Sequence, residues 1–157
     1  MSAADEKITI SQIKFEDIAP IYNLGNRLYT SNKWSNLYRT WDEYEIIERY
    51  ISDKEYCHVA KANNQLVGFA LATLVEKKNN PWLYGYIIWM GVDPKHSGKG
   101  IGSKLLKKIT KLFKKDGVKI IMVDTSIENK QALSFFKKNG FEEEEGHVFL
   151  SKNVSKN

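Results

Sequence analysis

The stretch that decides the fold is Val92-Asp93-Pro94-Lys95-His96-Ser97-Gly98-Lys99-Gly100-Ile101-Gly102-Ser103-Lys104-Leu105-Leu106. Three glycines at alternate positions, Gly98, Gly100 and Gly102, lie between two regular segments. Before them, Tyr84 to Val92 is apolar and nearly uncharged, as expected of a central strand buried on both faces. After them, Ile101, Leu105, Leu106, Ile109, Leu112 and Phe113 share one helical face, with lysines on the other. Glycine permits backbone angles that other residues resist. The first amides of a helix have no partner within it and carry partial positive charge, so a phosphate suits that end. The order of residues is not that of a Walker A loop, and G-x-G-x-G is not the dinucleotide spacing. Read alone, the segment is either an anion cradle or a turn that fits a helix to a sheet.

Working outward, Val118 to about Thr125 reads as a second buried strand, completing a strand–helix–strand unit. Asn129 to Lys138 reads as a short helix stopped by Asn139-Gly140. Phe141 to Glu145 and His147 to Leu150 read as a last hairpin around Gly146. Upstream, His58–Lys61 and Leu66–Ala72 flank an Asn63-Asn64 turn. Ile8 to Ile13 alternates as a first strand. Ile18, Ile21, Tyr22, Leu24 and Leu28 mark a helix, and Tyr44, Ile46, Ile47 and Ile51 another, with Thr40 as its expected cap. Residues 29–41 read as an aromatic loop. The order β-α-α-β-β-β-α-β-α-β-β predicts an α/β fold. Its mixed sheet has about seven strands and is flanked by about four helices, in one domain over residues 1–157.

Composition agrees. The 157 residues are 42% hydrophobic and 27% charged, which suits one ordinary soluble domain. No apolar run approaches the ~20 residues of a membrane span. The polar, acidic start does not read as a secretory leader, and one cysteine, Cys57, permits no internal disulfide, so a cytoplasmic setting is expected. No Cys/His cluster suggests a metal. The net charge of +5 is uneven. Residues 1–93 carry 10 basic and 12 acidic side chains, whereas residues 94–157 carry 14 and 7. The second half suits an anionic ligand. The three arginines, Arg27, Arg39 and Arg49, all lie in the acidic half, which argues against base-reading nucleic-acid recognition.

Two blocks at the proper separation carry a resemblance. The glycine segment, with Val92-Asp93-Pro94 before it, resembles the acyl-CoA loop of the GCN5-related N-acetyltransferases. Asn129-x-x-Ala132-x-x-Phe135-Phe136-x-x-x-Gly140-Phe141 is similar to that family's Asn-x-x-Ala-x-x-Phe-Tyr-x-x-x-Gly-Phe segment. The likeness is clearest over residues 58–150. It implies acetyl transfer from acetyl-CoA, as cosubstrate, straight to a primary amine on a peptide N-terminus, a lysine or a small molecule. It also implies two parallel strands that splay apart, with a bulge expected at Gly91, and it allows a homodimer. Main-chain groups of Met90, Gly91 and Val92 would hold the pantetheine arm and thioester. Amides of Ser97, Gly98, Lys99, Gly100, Ile101, Gly102 and Ser103 would cradle the diphosphate, with Lys99 or Lys104 adding charge. Asn129 would bond the arm, and Phe135 and Phe136 would line the thiol end.

Two departures stand out. Ser97 replaces the usual Gln or Arg, and Phe136 replaces the tyrosine that protonates the leaving thiolate. Acid catalysis contributes roughly 10²–10⁴-fold, and a thiol of pKa about 8.5 already leaves well. Phe136 therefore slows such a reaction at most, and Tyr84, Tyr86 or water can substitute. An amine of pKa about 10 must lose a proton before it attacks. Asp124 matches the position of a carboxylate base used by ribosomal-protein alanine N-acetyltransferases, and a partly buried aspartate is tuned towards that task. Its alternative role is to cap the next turn through amides of Ser126 and Asn129.

The remaining polar residues read more plainly. Cys57 reads as packing, His96 as solvent-exposed, and His58 and His147 as strand positions. The lysines of residues 104–115 read as a wet helix face. Tyr29, Trp34, Tyr38, Trp41 and Tyr44, with Asp42, Glu43 or Glu45, either wall an amine site or pack the helix pair. Two other functions compete with the enzyme: an acyl-CoA sensor that does not catalyse, motivated by Phe136, and a nucleic-acid binder using the lysine-rich helix.

Overall fold

The computed structural model describes residues 6–29, 41–144, 146, 148, 150 and 152–155. The chain divides into two compact units, Met1–Asp124 and Thr125–Asn157.

The first unit holds a five-stranded sheet in the order β1-β2-β3-β4-β5. The strands are β1 (Ile8–Gln12), β2 (His58–Ala62), β3 (Gln65–Glu76), β4 (Leu83–Val92) and β5 (Ile120–Val123). All neighbours run antiparallel except β4 and β5, which are parallel. Three helices belong to this unit: α1 (Ile18–Tyr29), α2 (Glu43–Asp53) and α3 (Ile101–Lys115). Asn63 and Asn64 both have positive φ, 48° and 67°, and join β2 to β3 as a two-residue turn of the hairpin kind.

β3 shows why the sheet accepts helices on both faces. Its sequence Gly68-Phe69-Ala70-Leu71-Ala72 alternates small and large residues. Phe69 and Leu71 join Ile13, Ile21, Leu24, Ile46, Cys57, Val59 and Trp89 in the core cluster beneath α1 and α2. Gly68 lies against α3, where an added Cβ would meet Ile101 and Leu105 at 3.2 and 3.4 Å. Small residues thus admit the helix closely on one face, and large ones fill the other.

β4 changes faces part-way. Gly85 looks at Phe113 of α3, where an added Cβ would lie 2.6 Å from its ring, whereas Gly91 looks at Leu28 of α1, at 2.5 Å. Both are odd-numbered, so an unbroken strand would point them the same way. The register against β3 slips between Leu71↔Trp89 and Ala72↔Ile87, leaving Ile88 as the extra residue. That bulge reverses the alternation. It stands at Ile88, not at Gly91 as the resemblance implied. Gly91 is small for a different reason, the close approach of Leu28 and Tyr29.

Other boundaries moved for physical reasons. A 3-10 turn, Phe15–Asp17, precedes α1, and Pro20 falls in the helix's first turn, where a missing N–H costs nothing. Asp42, not Thr40, caps α2, accepting from the Glu45 N–H at 3.1 Å; Thr40 lies outside the described residues. β3 runs on to Glu76 because Thr73–Glu76 find partners in Leu83–Tyr86. In the second unit, α4 (Lys130–Lys138) is capped by Asn129, whose Oδ1 accepts from Ala132 N–H at 3.1 Å. Among the described residues the sheet has five strands rather than seven, since 141–144 are irregular. Three successive acids, Glu142–Glu144, give that segment no apolar face to bury. Glu145 and His147, from the expected hairpin, lie outside the described residues.

Candidate active site

β4 pairs with β5 only from Tyr84↔Ile120 to Ile87↔Val123. The bulge at Ile88 follows at once, and β4 continues to Val92 with β3 alone. The two parallel strands therefore part at the bulge, as the resemblance implies. Beyond it, the Asp93 N–H donates to Val67 C=O at 2.8 Å. In an antiparallel ladder, alternate residues bond the partner. Gly91 thus faces β3, and the main-chain groups of Met90 and Val92 face the parted edge. The Met90 carbonyl accepts the Tyr29 hydroxyl there at 2.6 Å.

Just below the parting, the Tyr86 hydroxyl donates to Asp124 Oδ1. Tyr86 pairs with Met122 across the strands, and Asp124 lies two residues further along, so both side chains share a face. Both are half-buried. Ser126 accepts two bonds within the turn that follows. The Asn129 N–H donates to Ser126 C=O at 2.9 Å and the Glu128 N–H to Ser126 Oγ at 3.3 Å.

From Val92 the chain enters the glycine segment. Asp93, 7% exposed, accepts from Lys95 N–H at 3.0 Å and pairs with Arg27 at 3.3 Å. It so fixes the 3-10 turn Pro94–His96 that aims the loop. Ser97, Gly98, Lys99 and Gly100 are exposed. Gly98 and Gly100 have φ of 78° and 71°, with open space where a Cβ would stand, so backbone conformation rather than crowding demands glycine. Gly100 is the N-cap of α3 and offers no side chain, and its carbonyl takes the first helical bond, from Lys104 N–H at 3.0 Å. The amides of Ile101, Gly102 and Ser103 thus begin the helix with no side-chain cap among the described residues. Ile101 is buried and anchors the turn. A bare, glycine-preceded helix start of this kind fits a diphosphate.

Lys99 is not idle. Its Nζ lies 2.5 Å from Glu6, and His96 Nε2 lies 3.3 Å from the same carboxylate. These neighbours hold Glu6 below the usual carboxylate range, Lys99 more than His96. His96 is therefore half-buried, with a side chain 17% exposed, and not solvent-exposed as expected. Lys104 is exposed.

The aromatic segment divides. Trp41 stacks on Phe69 at 5.5 Å and meets Trp89 edge-on at 5.1 Å, and its Nε1 donates to Tyr22 C=O. Trp89 Nε1 donates to Glu45 at 3.1 Å. Tyr29 and Trp41 are thus packing residues, while Tyr44 is 72% exposed. Trp34 and Tyr38 lie outside the described residues. Cys57 is fully buried, and burial pushes its thiol up to about 12, which suits packing. In the second unit, Phe135 and Phe136 meet edge-on at 5.1 Å, and Phe136 meets Phe141 at 5.3 Å. Sequence reasoning named Asp124 and Tyr86 separately but missed their bond. It also missed Glu6, which no local pattern signals.

Residues 19–141 match the model of the Acetyltransferase (GNAT) family, and the chain belongs to that family. The described residues contain no helix long and apolar enough to cross a membrane and no group of three or more metal-binding side chains. A Methanocaldococcus jannaschii protein described as the uncharacterized N-acetyltransferase MJ1207 is 31% identical over 122 residues, covering 74% of this chain and 49% of the relative. The L-2,4-diaminobutyric acid acetyltransferase of Halalkalibacterium halodurans is 29% identical over 137 residues, covering 85% and 65%. The chain therefore spans about half to two thirds of the length of these curated relatives. In the crystal structure of the NatC complex bound to Gag peptide and CoA, one chain superposes with a TM-score of 0.77 at 22% identity, covering 88% of this chain and 87% of that one.

Proposed function

We propose that residues 1–157 form one N-acetyltransferase domain that moves an acetyl group from acetyl-CoA to a primary amine. The observation that carries this reading is the uncapped start of α3 behind Gly98 and Gly100, on the same unit as the Tyr86–Asp124 pair. Acetyl-CoA supplies the activated thioester. The amides of Gly98 to Ser103 bind its diphosphate, and Val92 guides the arm along the parted edge, whereas the main-chain groups of Gly91, expected to hold the arm, turn to β3 instead. Met90 serves at that edge through its N–H, since its carbonyl holds Tyr29. In the second unit the family resemblance assigns Asn129 to the arm and Phe135 and Phe136 to the thiol end. Membership of the acceptor class, whether peptide N-terminus, lysine or small amine, is open to both a peptide, as in the NatC complex, and a small diamine, as in the diaminobutyrate enzyme. The same resemblance allows a homodimer, which size-exclusion chromatography with light scattering checks.

The ammonium form of the amine first gives one proton to solvent; Asp124 then takes a second from the neutral amine as the nitrogen bonds the acetyl carbon and the carbon–sulfur bond breaks. Tyr86 gives its hydroxyl proton to the departing thiolate and recovers one from Asp124, so the proton count closes. This relay answers the loss of the family tyrosine at Phe136. The test is release of the CoA thiol from acetyl-CoA over a panel of peptides, polyamines, aminoglycosides and free diamines. Amine-dependent release is expected. Tight CoA binding with no release on any amine overturns the enzyme in favour of the sensor.

A further inference from the structure

The loop proposed to hold a diphosphate already holds an anion of its own. Glu6, two residues before β1, sends its carboxylate to Lys99 Nζ at 2.5 Å and to His96 Nε2 at 3.3 Å. Its partners are 93 and 90 residues away in sequence. They lie on either side of Gly98 in the chain, so the carboxylate ties two side chains of the loop together. Lys99 is the only cation within residues 98–103. A lysine presented there would ordinarily count toward binding phosphate. Here its charge is matched before any ligand arrives. Asp93, the other acid near the loop, turns inward to Arg27 and the Lys95 amide.

We infer that Glu6 sets the affinity of the acyl-CoA loop by acting as an internal competitor for Lys99: the ligand's diphosphate gains that lysine only by displacing the Glu6 carboxylate. The inference rests on the reading of residues 98–103 as the diphosphate cradle. Two consequences follow. Removing the charge on Glu6 strengthens binding, because Lys99 is then unmatched. It also steepens the salt dependence, because one more uncompensated cation meets the ligand. The size is modest, since Lys99 is 45% exposed and exposed pairs are weak; about two- to fivefold is expected. A role in merely steadying Lys99 towards the ligand would have the opposite sign.

The experiment is calorimetric titration of CoA, and separately of inorganic pyrophosphate, into the full chain and into Glu6→Gln and Glu6→Ala, at two salt concentrations. Glu76→Gln is the charge-matched control. It lies at the far end of β3 from Gly68, roughly 25 Å away at the rise of a strand. Tightening in both Glu6 variants, absent in the control and abolished when Lys99→Ala is added, is the expected result. Equal tightening in the control assigns the effect to net charge and overturns the inference. Unchanged or weaker binding in the Glu6 variants overturns it while leaving the cradle standing. Failure of the unaltered chain to bind either probe removes the cradle and the inference together.

Discussion

The Tyr86 hydroxyl donates its hydrogen to the Asp124 carboxylate across the only parallel strand pair in the described sheet. An acid and a base are thereby joined at the level where β4 and β5 separate. If the pair works as a relay, Asp124→Asn lowers acetyl transfer at saturating amine by about 10²–10⁴-fold. Tyr86→Phe lowers it by less, and the double variant by no more than Asp124→Asn alone, because the two act as one unit. The check is steady-state turnover with binding of CoA measured alongside. Full activity in Asp124→Asn removes that residue from the chemistry.

Gly100 tests the loop's backbone. Its φ of 71° is left-handed, and nothing stands within 4 Å of a Cβ there. Gly100→Ala is expected to cost about 1–2 kcal/mol through conformation alone. Gly100→Asn costs less, since asparagine tolerates that region. Both variants lose CoA affinity in the same order. Denaturant melts and calorimetry on the pair separate this from a steric effect, which would rank Asn as the worse.

Gly91 tests packing. An added methyl would lie 2.5 Å from Leu28 Cδ1 and 3.0 Å from the Tyr29 hydroxyl oxygen. Gly91→Ala should destabilise by about 1–3 kcal/mol, and the second substitution Leu28→Ala should recover part of the loss. Thermal unfolding of the three variants measures it.

His58 makes stability depend on pH. It is 3% exposed, its Nδ1 has no partner among the described residues, and burial first, then Lys108, holds its pKa at about 4 against an ordinary 6.5. Between those values the unfolded chain binds more protons than the folded one, so stability rises with pH across the window. It is fully present above about 6.5 and lost as pH falls through about 4, by an amount on the order of 3 kcal/mol. Urea titrations from pH 4 to 7 should show this slope and should flatten in His58→Leu.

Cys57 should be silent to thiol reagents. With its thiol near 12 and no exposure, labelling by a disulfide reagent at pH 8 is expected only when the chain unfolds. Rapid labelling of native protein would contradict its burial.

How far the sequence foretold this molecule depends on whether a feature is local. The β4–loop–α3 unit was legible because apolar runs, glycine punctuation and a helical stripe each act over a few residues. The Asn63-Asn64 turn was legible for the same reason. The bulge was misplaced because it is a property of two registers, and β4 carries no mark at Ile88 until β3 is laid beside it. Trp41 and Tyr29 were undecided between lining a site and packing a core, since an aromatic ring has the same signature for both. The site followed the same rule. Asp124 and the glycines stand out, while the Glu6–Lys99 contact joins residues 93 apart and leaves no trace in the sequence around either.

Gly68 has no chemistry to offer. It lies where α3 begins its path over the sheet, in a tight gap where a methyl carbon would stand 3.2 Å from Ile101 and 3.4 Å from Leu105. The aim of the three amides at the mouth of that helix is thus inherited from the floor beneath it. A single methyl placed there would tilt the donors by tenths of an ångström, and a ligand would register a change at a residue it never touches.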